Sequence, residues 1–227
     1  LKKEEMVKIP LVLESKKDWT EVIDDGFIQR KELEKLAEKE EDYLRPIALF
    51  QAEPDRNENS ITVDRIKEYL IKQKKVDENE IAIRISGRDE LENENLFSKK
   101  SKIRYIITVN ALAEGWDCSF AYVLVSVSNL GSKIAVEQIL GRIMRMPYAK
   151  KRKNDNLNKS YVFASANKFQ EAADQVILGL KENGYSEGDL VKLDEKDKKS
   201  PYVAETKFKE EMEIPLFSVQ GDELSFS

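Results

Sequence analysis

Gln138, Arg142 and Arg145 fall at i, i+4 and i+7 within VEQILGRIMRMP. On a helix this spacing sets an amide and two guanidiniums along one face. Val136, Ile139, Leu140 and Ile143 recur at helical spacing on the other side, which predicts a helix over 132–146 with one face on a core. Planar guanidinium forks hold phosphate oxygens and offset charge developing on them, so a glutamine beside two arginines suits a phosphate group. Gly141 lies inside the predicted helix, where glycine costs roughly 0.5–1 kcal/mol against alanine. A close approach to that backbone would account for it. A solvated basic helix face has the same spacing, and spacing alone weights the two readings equally.

A second cluster precedes this one. The run 103–109 (IRYIITV) is almost all apolar or β-branched and reads as a buried strand. It empties into NALAEGWD, which carries Asn110, Gly115 and Asp117, and 122–127 (YVLVSV) is the next strand. A strand that ends in a polar turn before another strand is how open α/β sheets build crevices at their carboxyl edge. Taken alone, Asp117 is an ordinary turn residue.

Together, VNALAEGWDC and VEQILGRIMRMP resemble two motifs of the second RecA-like domain of superfamily 2 helicases and translocases. Asn110–Asp117 looks like motif V, and Gln138–Arg145 looks like motif VI. The fuller wording is similar to the restriction (Res) subunit of type III restriction enzymes, and the resemblance covers roughly residues 45–165. Many proteins of the superfamily carry a phosphate-contacting threonine at about Val109 or Asn110; here Thr108 precedes that point and Asn110 is the polar candidate.

The resemblance implies ATP-driven work on nucleic acid. Arg142 and Arg145 would act catalytically on the triphosphate, and Gly115, Asp117, Gln138 and Gly141 would lie at the nucleotide. Gln51, at the end of IALFQ (47–51), looks like motif IV and would contact nucleic acid with Thr108 and Asn110; a plain core strand with a polar exit fits Gln51 equally well. The implied cofactors are ATP and Mg2+, held mainly by an N-terminal RecA-like domain of the same polypeptide. The implied partners are that domain, DNA (with RNA open), and a modification methyltransferase subunit.

Composition bounds these readings. The 227 residues carry 38 basic and 43 acidic side chains, a net charge of −5, so nucleic acid must be met by a local patch. There is one cysteine, Cys118, and no histidine. This excludes a disulfide framework, a Ser-His-Asp triad, a Cys-His pair and a zinc cluster within the chain, and it fits a reducing cytoplasm. No apolar run is long enough to span a membrane and no signal peptide is evident. No G-x-x-x-x-G-K-[ST] loop occurs. With a leucine at position 1, the chain reads as part of a longer polypeptide.

The elements that must position these residues follow a βαβ rhythm. The expected fold is a RecA-like α/β sheet flanked by helices (45–165), preceded by a linker strand and helix (1–44) and followed by a helical, partly mobile extension (166–227). KIPLVLES reads as a strand, and Asp18 as the N-cap of a helix from Trp19 to about Tyr43. Ser60 is expected to cap the helix ITVDRIKEYLIKQ. Strands are expected at 47–51, 81–85, 103–109, 122–127 and 160–164, and a further helix at 167–183. After 81–85, Ser86-Gly87 reads as a plain turn in preference to a phosphate-binding one. The basic cluster Lys150–Lys153 reads as a solvated loop before a phosphate-tracking one, and the polar stretch after Gly184 reads as mobile. Glu205-x-Lys207 matches half of a nuclease signature by chance in a charged tail, and no cleavage is assigned to it.

Two other readings stay open. One is an RNA or repair helicase domain. The other is a non-catalytic nucleic-acid-binding or interaction module, because a fold does not fix a function.

Overall fold

The computed structural model describes residues 7–8, 11–16, 18–109, 118–128, 143–165, 190–193, 217–220 and 223–226. Residues 1–196 form one compact unit and 197–227 a second.

Within the described residues of the first unit the order is β1 (Leu11–Lys16), α1 (Trp19–Ala37), β2 (Ile47–Gln51), α2 (Val63–Lys72), β3 (Ile81–Ile85), β4 (Arg88–Asp89), β5 (Tyr105–Thr108), β6 (Ala121–Ser126), β7 (Ser160–Ser165) and β8 (Leu190–Leu193). They make one sheet in the order β4-β3-β5-β2-β6-β7-β1-β8. Every pairing is parallel except β3 with β4. Strands β2, β5 and β6 are buried from end to end, as expected of near-continuous apolar runs in a parallel sheet covered on both faces. This is the expected α/β architecture, a mostly parallel sheet flanked by helices. In the second unit, β9 (Phe217–Gln220) pairs antiparallel with β10 (Glu223–Phe226).

Helices α1 and α2 lie side by side. Trp19 meets Tyr69 edge-on at 5.3 Å between ring centroids, the Tyr69 hydroxyl donates to Asp24 at 2.8 Å, and Lys74 pairs with Asp24 at 2.6 Å. The buried stripe of α1 is Val22, Ile23, Gly26, Arg30, Leu33 and Ala37. Glycine is required at position 26: a Cβ there would stand 2.1 Å from Val125 Cγ2 on β6. Next along the stripe, Arg30 is 1% exposed, and its guanidinium donates to the Pro46 carbonyl at 3.1 Å and to the Tyr105 hydroxyl at 3.0 Å while pairing with Glu34.

Four expectations need correction. Helix α1 stops at Ala37 instead of running to Tyr43, because Glu40, Glu41 and Asp42 leave the helix to bond the 150–154 loop. Thr62, not Ser60, caps α2: its side chain accepts from Arg65 N, whereas Ser60 Oγ accepts from Arg56 N and Asn57 N in the preceding loop. The stretch expected to be mobile after Gly184 contains β8, whose four residues LVKL pair with β1. The strand and helix read as a linker before residue 45 are built into the same sheet and its covering layer, with β1 lying between β7 and β8. The predicted helix over 167–183 and all but the end of that over 132–146 lie outside the described residues, as does Glu205-x-Lys207.

Ser86-Gly87 is a tight turn. It links β3 to β4 with Ile85 opposite Arg88, and Gly87, the second central residue, adopts φ +79°, a left-handed conformation that favours glycine there.

Candidate functional site

Because the strands are parallel, their carboxyl ends share one edge of the sheet. At that edge Thr108, Gln51 and Ser126 stand in a row, each in register with the next across β5, β2 and β6. Backbone bonds extend the row past the strand ends: Ala52 N donates to Thr108 O at 2.7 Å and Val127 N to Gln51 O at 3.1 Å. Ser126 Oγ lies 3.1 Å from Gln51 Oε1 and 2.9 Å from Ser128 O, and its single proton serves one of the two at a time. The loop leaving β2 is tied back by Glu53, which accepts from Ile61 N at 2.9 Å through its carboxylate. The segments that carry residues 110–117 and 129–142 therefore leave the sheet from two strands that flank β2.

The sequence singled out Gln51 and Thr108 at this edge, and the fold places them on adjacent strands. They are 5% and 6% exposed, so they line the floor of the edge beneath its loops. Asn110, Gly115, Asp117, Gln138, Gly141 and Arg142 lie outside the described residues. Arg145 is described. The helix expected to run to Met146 has its last helical residue at Ile143, and Arg145 instead bridges Val7, so it does not continue that helix face; its side chain is exposed, while Ile143, Met144 and Met146 around it are buried.

The backbone that carries Arg145 is held from two sides. Ser160 Oγ, at the start of β7, donates to Ile143 O at 3.1 Å. Lys8 N donates to Met144 O at 2.6 Å, and Val7 forms an antiparallel bridge with Arg145. The carbonyls that a helix end leaves without partners are thus satisfied by an N-terminal segment and by the next strand.

The basic cluster at 150–153 is engaged within the molecule. Lys150 and Arg152 both reach Asp42 at 3.1 Å, Lys153 pairs with Glu41, and Arg152, 3% exposed, donates to Pro147 O at 2.6 Å. Hydrogen bonds and charge from these cations hold the Asp42 and Glu41 carboxyls below the usual carboxylate range. The solvated-loop reading fits, with the addition that acids on the chain leaving α1 meet the cations.

Three buried cations, Lys8, Arg30 and Arg45, were not identified from the sequence; Arg45, 3% exposed, donates to Leu96 O at 2.7 Å. Arg30 lies on the apolar stripe of α1, four residues after Gly26 and three before Leu33, and that spacing was the available signal. Lys8 is 0% exposed, at the head of the KIPLVLES run that reads as a strand, where nothing marks it as buried. Burial pushes its ammonium well below the ordinary lysine range, partly offset by Cys118. Burial also pushes the Cys118 thiol up to about 11.

Among the described residues, no three Asp, Glu, Cys or His side chains lie together as a metal site, and no helix is long and apolar enough to cross a membrane.

No family model matches the sequence, and no curated protein matches it. Solved structures do. A point variant of the Saccharomyces cerevisiae Dbp5 C-terminal domain, bound to a Gle1 variant and IP6, matches with a TM-score of 0.44 and 14% identity over 82% of this chain and 89% of that one. The ATP-dependent Type ISP restriction-modification enzyme LlaBIII, bound to DNA, matches with a TM-score of 0.48 and 14% identity over 85% of this chain. This chain spans 16% of that enzyme's length. A longer Dbp5 structure from S. cerevisiae gives a TM-score of 0.46 and 15% identity over 82% of this chain and 41% of that one. At TM-scores below 0.5, what this chain does has to be read from its own residues.

Proposed function

We propose that this chain is the second motor domain of an ATP-driven nucleic-acid translocase or helicase, and more narrowly that it belongs to the restriction subunit of a type III restriction-modification system acting on DNA. On this reading the ATP site is completed by an N-terminal RecA-like domain elsewhere in the polypeptide. A modification methyltransferase subunit is the partner that the narrower reading brings with it.

The observation that carries the reading is the carboxyl edge of the sheet. Thr108, Gln51 and Ser126 form a fixed polar floor, and the strands beside β2 send out the two segments whose wording is EGWD and QILGRIMR. Gln51 and Thr108 hold the floor, and Asn110 is the residue proposed to meet the nucleic-acid backbone. Gly115, Asp117, Gln138 and Gly141 are proposed to lie at the nucleotide.

The described residues fit one end of a polyphosphate and do not fit its metal. Arg145 presents an exposed guanidinium from a backbone pinned at Ile143 and Met144, which favours a fixed approach to anionic oxygens. With Arg142 three residues earlier in the sequence, two guanidiniums would offset charge on a transferring phosphoryl group. No carboxylate set is present among the described residues for Mg2+, so no step is assigned to the metal here. ATP, when bound, supplies the phosphoryl-transfer free energy that drives movement.

The test compares steady-state phosphate release by this chain alone and by the full-length polypeptide, each with magnesium and DNA. The chain alone is expected to match a Gly141→Pro control, and the full-length polypeptide to hydrolyse ATP faster when DNA is added. Turnover by the isolated chain, or no DNA stimulation of the full-length polypeptide, would contradict the proposal.

A further inference from the structure

Lys8 lies in a closed cage. Its Nζ donates to Ser119 O at 3.1 Å and to Ala121 O, and it sits 3.8 Å from the centroid of the Tyr122 ring. All three partners lie at the entry to β6, in the chain that follows residues 110–117. That entry is itself a turn, with Ala121 N donating to Cys118 O at 3.0 Å. The Tyr122 hydroxyl donates onward to Leu157 O at 3.0 Å, which fixes the ring on which the ammonium rests.

No carboxylate pairs with Lys8 among the described residues. A buried ammonium without an acid partner is costly, and it is retained where other groups satisfy its donors. Here two carbonyls and an aromatic face do so, and all three come from one short stretch. Meanwhile the backbone of the same two residues is zipped to the other segment, through Lys8 N to Met144 O and through the Val7–Arg145 bridge. One residue therefore holds the entry to β6 with its side chain and the Ile143–Met146 stretch with its backbone.

We infer that Lys8 is a positioning residue that locks the entry to β6 to the backbone that carries Arg145, so that these two stretches move as one. The inference rests on the motor reading for its functional meaning, whereas the lock itself is a property of this chain.

Lys8→Met tests this, because methionine keeps an unbranched stem and removes the three donors. In this chain, amide hydrogen exchange is expected to accelerate about tenfold or more at 119–122 and 143–146 and to stay unchanged in α2, the scale expected of coupling between linked segments. Unchanged exchange at 143–146, or equal acceleration in α2, overturns the inference. In the full-length polypeptide, Lys8→Met is expected to lower kcat for DNA-stimulated ATP hydrolysis about tenfold while KM for ATP stays within about twofold, since a positioning effect on transition-state contacts leaves ground-state binding alone. Lys8→Arg, which keeps the donors, is expected to recover part of that loss. A normal kcat in Lys8→Met overturns the inference. If the wild-type polypeptide shows no DNA-stimulated hydrolysis, the motor reading falls, and the exchange measurement still decides the lock. Should Lys8→Met not fold, Lys8→Gln takes its place with the same expected and overturning results.

Discussion

Gly26→Ala measures how closely α1 is pressed onto the sheet. The added Cβ would stand 2.1 Å from Val125 Cγ2, 3.5 Å from Val125 Cβ and 3.7 Å from Val123 Cγ1. Carbon atoms in contact settle at about 3.5–4.0 Å, so the first of these distances is short by about 1.5 Å. Val125 is fully buried and β-branched, and its χ1 has little freedom to swing away. Inserting a methyl into such a site costs about 1–3 kcal/mol. Alanine returns about 0.5–1 kcal/mol of helix propensity. The net expectation is a loss of up to about 2.5 kcal/mol, or up to roughly 5–10 °C in melting temperature for a domain of this size. Urea unfolding of the chain should show a lower midpoint at constant slope. Val125→Ala removes the clashing methyl, so the double variant should lose less than the sum of the single variants, with a coupling of about 0.5–3 kcal/mol. A Gly26→Ala chain that melts at or above wild type, or single-variant losses that simply add, would refute the close approach of α1 to β6.

Cys118, buried and with its thiol pushed up to about 11, should resist an aromatic disulfide reagent at pH 8 in the folded chain and react at once in urea; rapid native labelling would contradict its burial. Burial raises the Glu34 carboxyl, but the Arg30 and Arg104 guanidiniums beside it prevail and hold it below its ordinary value of 4.5. Its contribution is therefore fully present above that value and is lost as the pH falls through the lower folded-state pKa. The difference in urea midpoint between wild type and Glu34→Gln should accordingly narrow between pH 7 and pH 3.5, and a constant difference would count against the pairing.

The central sheet was legible because its signals are local. IALFQ and IAIRI were bounded to the residue as β2 and β3, since continuous apolar runs between polar turns admit little else. The polar exits at Gln51 and Thr108 were legible for the same reason, and the parallel register puts them on adjacent strands. What the sequence hid was decided by partners far along the chain. Glu40, Glu41 and Asp42 carry a helix-compatible charge pattern, yet loop 150–154 draws them off α1. The four residues of β8 are outweighed by their acidic and basic neighbours in any longer window, and only the edge of β1 gives them a partner. Lys8 and Arg30 look like solvated charges until carbonyls from residues 119, 121 and 46 close around them. Gly26 looks like a flaw in a helix, and it is the point where that helix touches β6.

The most direct test of the central claim is the ATP turnover of the full-length polypeptide carrying Arg142→Ala or Arg145→Ala. An arginine that reaches a transferring phosphoryl group is worth about 10³–10⁵ in rate, whereas truncating a solvated surface arginine changes stability by about 0.5 kcal/mol or less. The account predicts that each variant folds and melts as wild type does and loses at least about 10³-fold in DNA-stimulated turnover. Near-normal turnover in both variants would contradict it and return this helix face to an ordinary basic surface.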